Sequence, residues 1–204
     1  MRWLATLVLA FSAGFISLSY EVLWARLFSW ATAGAASSFP MLLGLFLTGI
    51  AVGARWSKRF TKGKPTYSPS ALRALAGFTA GSAIAGWLVI PAMAWLLSSI
   101  NVPGFTALYF VFGAACLFGA QLPLLMHFGI EADQRVGARL SNVYVANVIG
   151  AVAGSLVTGF LWLDQARTQE IVTILTLAGL VVSFLLVLGT GPAKSTLLKT
   201  IAGL

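Results

Sequence analysis

The residues of this chain whose types and spacing could do chemistry are few, and two of them share one hydrophobic run. Glu21 and Arg26 place a carboxylate and a guanidinium within segment 14–29, GFISLSYEVLWARLFS. A charged side chain at the centre of a lipid-facing helix costs roughly 2.5 to 3.5 kcal/mol on insertion scales, so such residues usually face protein or water. We therefore predict that this first helix forms an inner wall of a bundle.

The spacing of the two charges argues against a direct ion pair between them. Five residues place Glu21 and Arg26 about 140° apart around a helix, and counting from Leu4 they lie roughly 25 and 33 Å deep, in the outer part of a membrane. Two interpretations stay open: the charges fix helix registry through buried hydrogen bonds, or they line a solute or proton path. Tyr20 and Trp24 lie within one turn of Glu21, and Trp24 could shield its charge.

A second polar group comes from two consecutive hydrophobic runs. Gln121 and His127 fall near the end of one run, and Asn142, Tyr144 and Asn147 fall in the first turns of the next. Together they predict a polar vestibule that faces the cytoplasm. We interpret His127 as an interfacial residue, because no second His or acidic residue has metal-ligand spacing. Asn147 is interpreted as a residue that forms an interhelical hydrogen bond.

No set of residues in the sequence assembles a catalytic site. The chain has no constellation of Ser, His and acid, and its one cysteine, Cys116, lies within an apolar run. Glu131 and Asp133 fall in a short loop, where we expect them to be solvated. We therefore expect no reaction from this chain alone and assign it no catalytic, cofactor-binding or metal-binding residue.

The elements that must position these side chains are predicted to be membrane helices. The chain has 204 residues, of which 59% are hydrophobic and 9% charged, and its mean hydropathy is +0.92. Soluble domains carry about 25% charged residues, so this composition indicates an all-α integral membrane protein. The formal charge of +8 does not indicate a nucleic-acid partner, because the basic residues lie between hydrophobic runs and follow the positive-inside rule.

Six runs are long enough for the roughly 20 helical residues that cross a bilayer. We predict a single transmembrane domain, 1–204, with spans at 3–30, 37–56, 71–97, 103–127, 139–162 and 169–189. If both termini are cytoplasmic, eleven of the thirteen Lys and Arg residues lie on the inner side. The expected architecture is therefore a six-helix bundle with its N-terminus and C-terminus in the cytoplasm.

Small residues recur at four-residue spacing in several spans. In lipid such residues let helix backbones approach closely, so they predict helix packing. The glycines assigned to packing are Gly49, Gly53, Gly77, Gly81, Gly150 and Gly154.

Four segments of the chain together resemble a known family: 14–29, 39–54 (FPMLLGLFLTGIAVGA), 117–128 (LFGAQLPLLMHF) and 136–163 (VGARLSNVYVANVIGAVAGSLVTGFLWL). They are similar to the membrane-embedded N-terminal region of the spermidine synthase-like (polyamine aminopropyltransferase) membrane proteins. The most specific parts are Tyr20-Glu21-x-x-Trp24-x-Arg26, Gly119-Ala120-x-Leu122-Pro123-Leu124-Leu125 and Tyr144-x-Ala146-Asn147-x-x-Gly150-Ala151. The resemblance implies helices that precede a soluble Rossmann-like domain, which binds decarboxylated S-adenosylmethionine and a diamine. Because the printed sequence ends at Leu204, we expect the membrane module without that catalytic domain.

Two functional hypotheses follow. The first is a non-catalytic polytopic subunit or anchor in a bacterial cytoplasmic (inner) membrane, which contacts lipids and associates with protein. The partner would be a larger membrane complex, a separate soluble aminopropyltransferase-like chain or a second copy of itself. The alternative is a small-solute transporter, with polyamines as one solute class, that works as an oligomer around Glu21.

Overall fold

The computed structural model describes residues 2–63, 69–98, 106, 108–130 and 134–189, and the regular structure within these ranges is helical. The helices are α1 (Arg2–Ala31), α2 (Ser38–Thr61), α3 (Pro69–Ser98), α4 (Leu108–Gly129), α5 (Val136–Leu156), α6 (Leu163–Gln165) and α7 (Thr168–Leu188), with a stretch of π-helix, Val157–Trp162, between α5 and α6.

Six helical stretches of the described residues are long and apolar enough to cross a membrane. They are Trp3–Ala31, Ser38–Thr61, Ser70–Leu96, Leu108–His127, Val136–Gln165 and Thr168–Leu188. The prediction of an all-helical chain with six membrane-spanning helices is confirmed at this level.

The second span is longer than predicted. Helix α2 continues from the expected end at residue 56 to Thr61 and carries Lys58 and Arg59 in its last turn. Cations near a helix C-terminus interact favourably with its dipole, and their long side chains reach water while the backbone stays helical. The predicted start of the fourth span at residue 103 lies outside the described residues, and so does the tail from residue 190.

The fifth span changes its winding before it ends. Helix α5 passes into the π-helix Val157–Trp162, and α6 completes the span. A π-helix closes hydrogen bonds five residues back instead of four, and short stretches of it occur frequently at functional sites.

Helix α1 is, with α3 and α4, one of the inner helices of the bundle. It contacts each of the other five spans, and its most extensive partner is α5. The other large contacts join α2 to α4 and join α3 to both α4 and α7. The inner position of α1 agrees with the argument from the charge of Glu21.

Glycines close the contact between α2 and α4. A Cβ at Gly53 would overlap the carbonyl oxygen of Cys116, and a Cβ at Gly49 would lie 2.7 Å from the Cβ of Ala115. From the opposite side, a Cβ at Gly119 would overlap the backbone of Ile50. The two helices can therefore approach backbone to backbone, which is how helices associate in lipid without a hydrophobic driving force.

A second glycine contact joins α1 and α5. Gly150 and Gly154 lie directly against the backbone of Phe11 and Phe15. The glycines predicted in α3 behave differently. Gly81 has ordinary contact with a Leu117 methyl group at 3.7 Å, and Gly77 has no described atom within 4 Å. Gly77 is exposed on the outer face of α3, so the helix packing predicted for it stays a prediction.

Candidate functional site

The side chain of Glu21 is largely buried and has no hydrogen-bond partner among the described residues. Its side chain is 8% exposed, and none of the hydrogen bonds between described residues includes its carboxylate. Ser17, one turn earlier, and Trp24, about one turn later, are also buried. Because buried carboxylates are normally paired or hydrogen-bonded, Glu21 is the most unusual side chain of the bundle.

The register between α1 and α5 is fixed below Glu21 by two contacts. Asn147 Nδ2 donates a hydrogen bond of 3.0 Å to the carbonyl of Ala10. One turn further, a Cβ at Gly14 would overlap the backbone of Asn147 and Ala151. The two helices therefore keep a constant register, in which four residues of α1 lie beside four residues of α5.

The same register places Glu21 at the level of Thr158. Glu21 lies seven residues, or two turns, beyond Gly14, and Thr158 lies seven residues beyond Ala151. Above that pair, Ser19 Oγ donates a hydrogen bond of 3.2 Å to the carbonyl of Gly154, which keeps the helices together there.

Thr158 belongs to the π-helix, and its hydroxyl is fully buried with no hydrogen-bond partner in the described part of the chain. An unbonded carboxylate and an unbonded hydroxyl thus lie at one level of one interface. Thr158 was not predicted as a polar site from the sequence, because its four-residue spacing from Gly154 is typical of helix packing.

Tyr20 joins three helices through its hydroxyl group. The side chain is fully buried, and its oxygen lies 2.7 Å from Thr176 Oγ1 in α7. Thr176 Oγ1 also lies 2.7 Å from the carbonyl of Val172, to which it can donate. The Tyr20 oxygen also lies 3.3 Å from the carbonyl of Ala83 in α3. Tyr20 therefore holds α1, α3 and α7 at one level.

Trp24 belongs to an aromatic cluster in the same half of the bundle. Its ring stacks on Tyr20 with a centroid distance of 5.5 Å and contacts Phe46 and Phe118 at 6.3 and 6.4 Å. Its Nε1 is buried without a hydrogen-bond partner among the described side chains and backbone groups. The cluster fills the space between α1, α2 and α4 beside the face that carries Glu21.

The side chain of Arg26 is not buried by the described part of this chain. Its side chain is exposed, and it forms no ion pair with any described residue. A protein partner for Arg26 on another subunit therefore stays a prediction. Arg26 lies about 35 Å along the helix axis from Trp3, which is more than the roughly 30 Å thickness of a hydrocarbon layer.

Gln121 borders a small, mostly apolar cavity between α1, α3, α4 and α7. Its Nε2 donates to Ser82 Oγ at 2.6 Å, and Ser82 Oγ donates to the carbonyl of Thr79 at 3.0 Å. Ser12 of α1 lines the same cavity, whose volume is about 20 Å³. This volume exceeds the space that one water requires, about 10 to 15 Å³ on the same measure.

The predicted polar vestibule is not formed. Gln121 bonds to α3, whereas Asn147 bonds to α1. Asn142 and Tyr144 are exposed on α5, and the Nε2 of His127 is buried with no partner among the described residues. The residues stay apart because α5 packs mainly on α1 and has no extensive contact with α4. Asn147 does make an interhelical bond, as its position predicted.

The described part of the chain contains no set of side chains that could ligate a metal ion. No three His, Cys, Asp or Glu side chains there come close enough together to hold an ion.

A further polar feature is the basic end of α2, whose helical conformation was not predicted from the sequence. Lys58 and Arg59 follow the predicted end of the second span at residue 56 but lie in the last turn of α2. Their i, i+3, i+4, i+7 spacing with Arg55 and Lys62 was the available signal.

Comparison of the chain with protein-family models, with curated proteins and with solved structures finds no match. The resemblance to the spermidine synthase-like membrane proteins stays a prediction. The function is inferred from the geometry of the bundle.

Proposed function

We propose that the chain is a non-catalytic membrane subunit or anchor that acts by associating with another protein. The observation that carries this proposal is a pair of glycines whose open faces point outward. Gly44 on α2 and Gly77 on α3 are both exposed, and no described atom lies within 4 Å of the position that a Cβ would occupy at either residue. Thr48, one turn after Gly44, is exposed as well and bonds its own backbone.

Outward glycines support association because of how helices pack in lipid. Lipid tails are as apolar as leucine, so helices associate through close van der Waals contact at small residues. The glycines of α2 that face inward, Gly49 and Gly53, are already used against α4. Gly44 and Gly77 offer the same close approach to a helix from another chain. In this proposal the partner helix belongs to a larger membrane complex or to a second copy of the chain.

The experiment is purification of the Gly44→Leu and Gly77→Leu variants from native membranes in mild detergent. We expect the assembly that copurifies with the wild type to be lost or reduced at least severalfold, because a leucine side chain separates the two backbones. Val181→Leu is the matched control, since Val181 is an exposed aliphatic residue of α7. A wild-type chain that always elutes alone, or variants that retain the assembly, would contradict the proposal.

For the orientation we propose that both termini are cytoplasmic and that the membrane is a bacterial inner membrane. Support comes from the distribution of exposed charge. Arg55, Lys58 and Arg59 lie at the end of α2, and Arg135 lies at the start of α5, at the same end of the bundle. Arg167 is exposed at the opposite end. The positive-inside rule assigns the first end to the cytoplasm.

A second candidate, a small-solute transporter that works as an oligomer, is favoured by Glu21 alone. A buried carboxylate within a membrane helix is typical of ion and solute pathways, and a polyamine would supply the opposite charge. This candidate ranks second because the cavity beside Gln121, of about 20 Å³, has room for a water molecule and not for a solute.

Uptake of a labelled polyamine into proteoliposomes tests the transporter. We expect the wild type to show uptake that Glu21→Gln abolishes and that Asp164→Asn, a change at an exposed carboxylate, leaves intact. The absence of any uptake would remove the transporter, and uptake unchanged by Glu21→Gln would remove the site.

A further inference from the structure

Four basic side chains form one face at the end of α2. Arg55, Lys58, Arg59 and Lys62 are all exposed. Their spacing of three, four and seven residues places them on one side of the helix, within an arc of about 100°. We name these four residues the basic face. Neighbouring cations repel one another, so this arrangement favours an anionic ligand.

The basic face adjoins an apolar wall that belongs to the same pocket. An open pocket is lined by Val52, Arg55, Trp56, Lys58 and Arg59. Val52 and Trp56 are large exposed apolar residues, and Trp56 is 41% exposed. From Val52 to Arg59 the helix rises about 10 Å. The pocket therefore changes from apolar to cationic over the distance that separates acyl chains from phosphates in a lipid leaflet.

The wall of the pocket is held in place by rings from two helices. Trp56 meets Phe60 of its own helix at a centroid distance of 6.0 Å and Phe78 of α3 at 5.5 Å, both edge to face. Phe60 and Phe78 meet each other at 5.3 Å in the same geometry. Such aromatic pairs have a preferred orientation, so the exposed edge of Trp56 has a fixed position beside Arg55 and Arg59.

The charge of the basic face is not compensated by its neighbours in the sequence. From residue 22 to residue 130, a range that covers α2, α3 and α4, the chain contains no Asp or Glu. Arg73 near the start of α3 adds a further exposed cation. The next acids, Glu131 and Asp133, lie outside the described residues.

We propose that this pocket binds the headgroup of an anionic phospholipid of the surrounding bilayer. Arg55 and Arg59 contact the phosphate, because a guanidinium offers a fork of donors that matches phosphate oxygens. Lys58 and Lys62 add charge, and an acyl chain lies along Val52 and Trp56. A lipid is favoured over a soluble acidic protein or nucleic acid because half of the pocket is the apolar flank of a membrane-spanning helix. Basic pockets beside transmembrane helices are known to take such headgroups.

The test is a titration of the purified chain in neutral detergent with phosphatidylglycerol and, separately, with phosphatidylcholine, with bound lipid counted by native mass spectrometry. We expect phosphatidylglycerol to bind more tightly. Each basic residue near an anionic lipid contributes about fivefold in affinity, so the double variant Arg55→Gln/Arg59→Gln should bind about 25-fold more weakly. Arg55→Lys/Arg59→Lys should retain an intermediate affinity, since it keeps the charge and loses the fork.

The matched control is Arg26→Gln/Arg167→Gln, which removes two exposed arginines from the other end of the bundle. It should bind phosphatidylglycerol like the wild type. Equal binding of both lipids, or equal losses in the two double variants, would overturn the proposal. Displacement of phosphatidylglycerol by millimolar inorganic phosphate would also overturn it, because the site would then take a free phosphate. All the substituted side chains are exposed, and helix content by circular dichroism checks that the variants fold.

Discussion

Contacts of a single side chain, Tyr20, join three spans of this bundle at one level. The hydroxyl of Tyr20 reaches Thr176 in α7 and the carbonyl of Ala83 in α3. It has no water to bond at this depth, so its partners must come from protein. The sequence marked Tyr20 as a polar candidate through its place beside Glu21. Its partners could not be predicted, because they lie 63 and 156 residues further along the chain.

The Tyr20→Phe variant should lower the stability of the bundle modestly. Removing the hydroxyl leaves the side-chain volume almost unchanged and deletes one interhelical hydrogen bond. Such bonds in membrane proteins contribute about 0.6 kcal/mol on average and up to about 1.7. A melting temperature in mild detergent measures the effect, with Tyr109→Phe as control because Tyr109 is 73% exposed. Equal melting of both variants and the wild type would show that the bond to Thr176 contributes nothing.

The Glu21→Gln variant should raise the stability of the isolated chain. Glu21 is buried and has no hydrogen bond to a described residue, and a buried polar group that is neutral costs far less to desolvate than a charged one. We expect a gain of about 1 kcal/mol, seen as a higher melting temperature, whereas Asp164→Asn should change little because Asp164 is exposed. A lower melting temperature for Glu21→Gln would mean that the carboxylate has a stabilising partner after all. A gain together with lost function would indicate a residue kept for activity at the expense of stability.

Among the elements, α2 and α4 depend directly on small residues, as α1 and α5 also do. Gly49 and Gly53 of α2 and Gly119 of α4 let the two backbones meet. Side chains at these positions would separate the helices, and lipid would offer no compensating hydrophobic gain. The spacing of Gly49 and Gly53 predicted helix packing, whereas the partner helix could not be predicted, because several spans carry similar glycines.

The Gly53→Ala variant should destabilise the bundle strongly. The new Cβ would overlap the carbonyl oxygen of Cys116, and such overpacking costs about 1 to 3 kcal/mol. The control is Gly113→Ala on α4, where no described atom lies within 4 Å of a Cβ. That change should be neutral or stabilising by up to about 1 kcal/mol, because alanine favours helix over glycine. Equal melting temperatures for the two variants would contradict the close contact of α2 with α4.

The elements were predictable to different degrees, for physical reasons. A run of apolar residues is a local property, so the existence of each span could be predicted from composition. The end of α2 could not, because Lys58 and Arg59 lower hydropathy while they stabilise the helix end. The π-helix at Val157–Trp162 has no hydropathy signal. The polar vestibule failed because it assumed that consecutive helices are neighbours, whereas α5 packs on α1.

The whole molecule carries its charges unevenly at its two ends. Exposed arginines and lysines gather where α2 ends, and exposed residues of both signs, Asp164, Arg167 and Glu170, surround the connection before α7. A membrane protein with this distribution is oriented by the positive end.

Cysteine labelling tests the orientation. In a Cys116→Ala background, which removes the single native cysteine, one variant carries Arg167→Cys and another Lys62→Cys. A membrane-impermeant maleimide added to intact cells should label the cysteine at position 167 and should reach position 62 only after the membrane is disrupted. The reverse pattern would invert the proposed topology, and labelling of both on intact cells would contradict the six-span arrangement.

The central place of α1 has a consequence for biogenesis. Among the six spans α1 leaves the ribosome first, yet it contacts every other span, and the partner of its Tyr20 hydroxyl is Thr176 in α7, the last of them. During translation the first helix therefore waits in the membrane, or in the translocon beside it, with its phenol unpaired and its carboxylate unshielded. The bundle can close around Tyr20 only when α7 has been inserted, so the assembly of these six spans waits for the last of them.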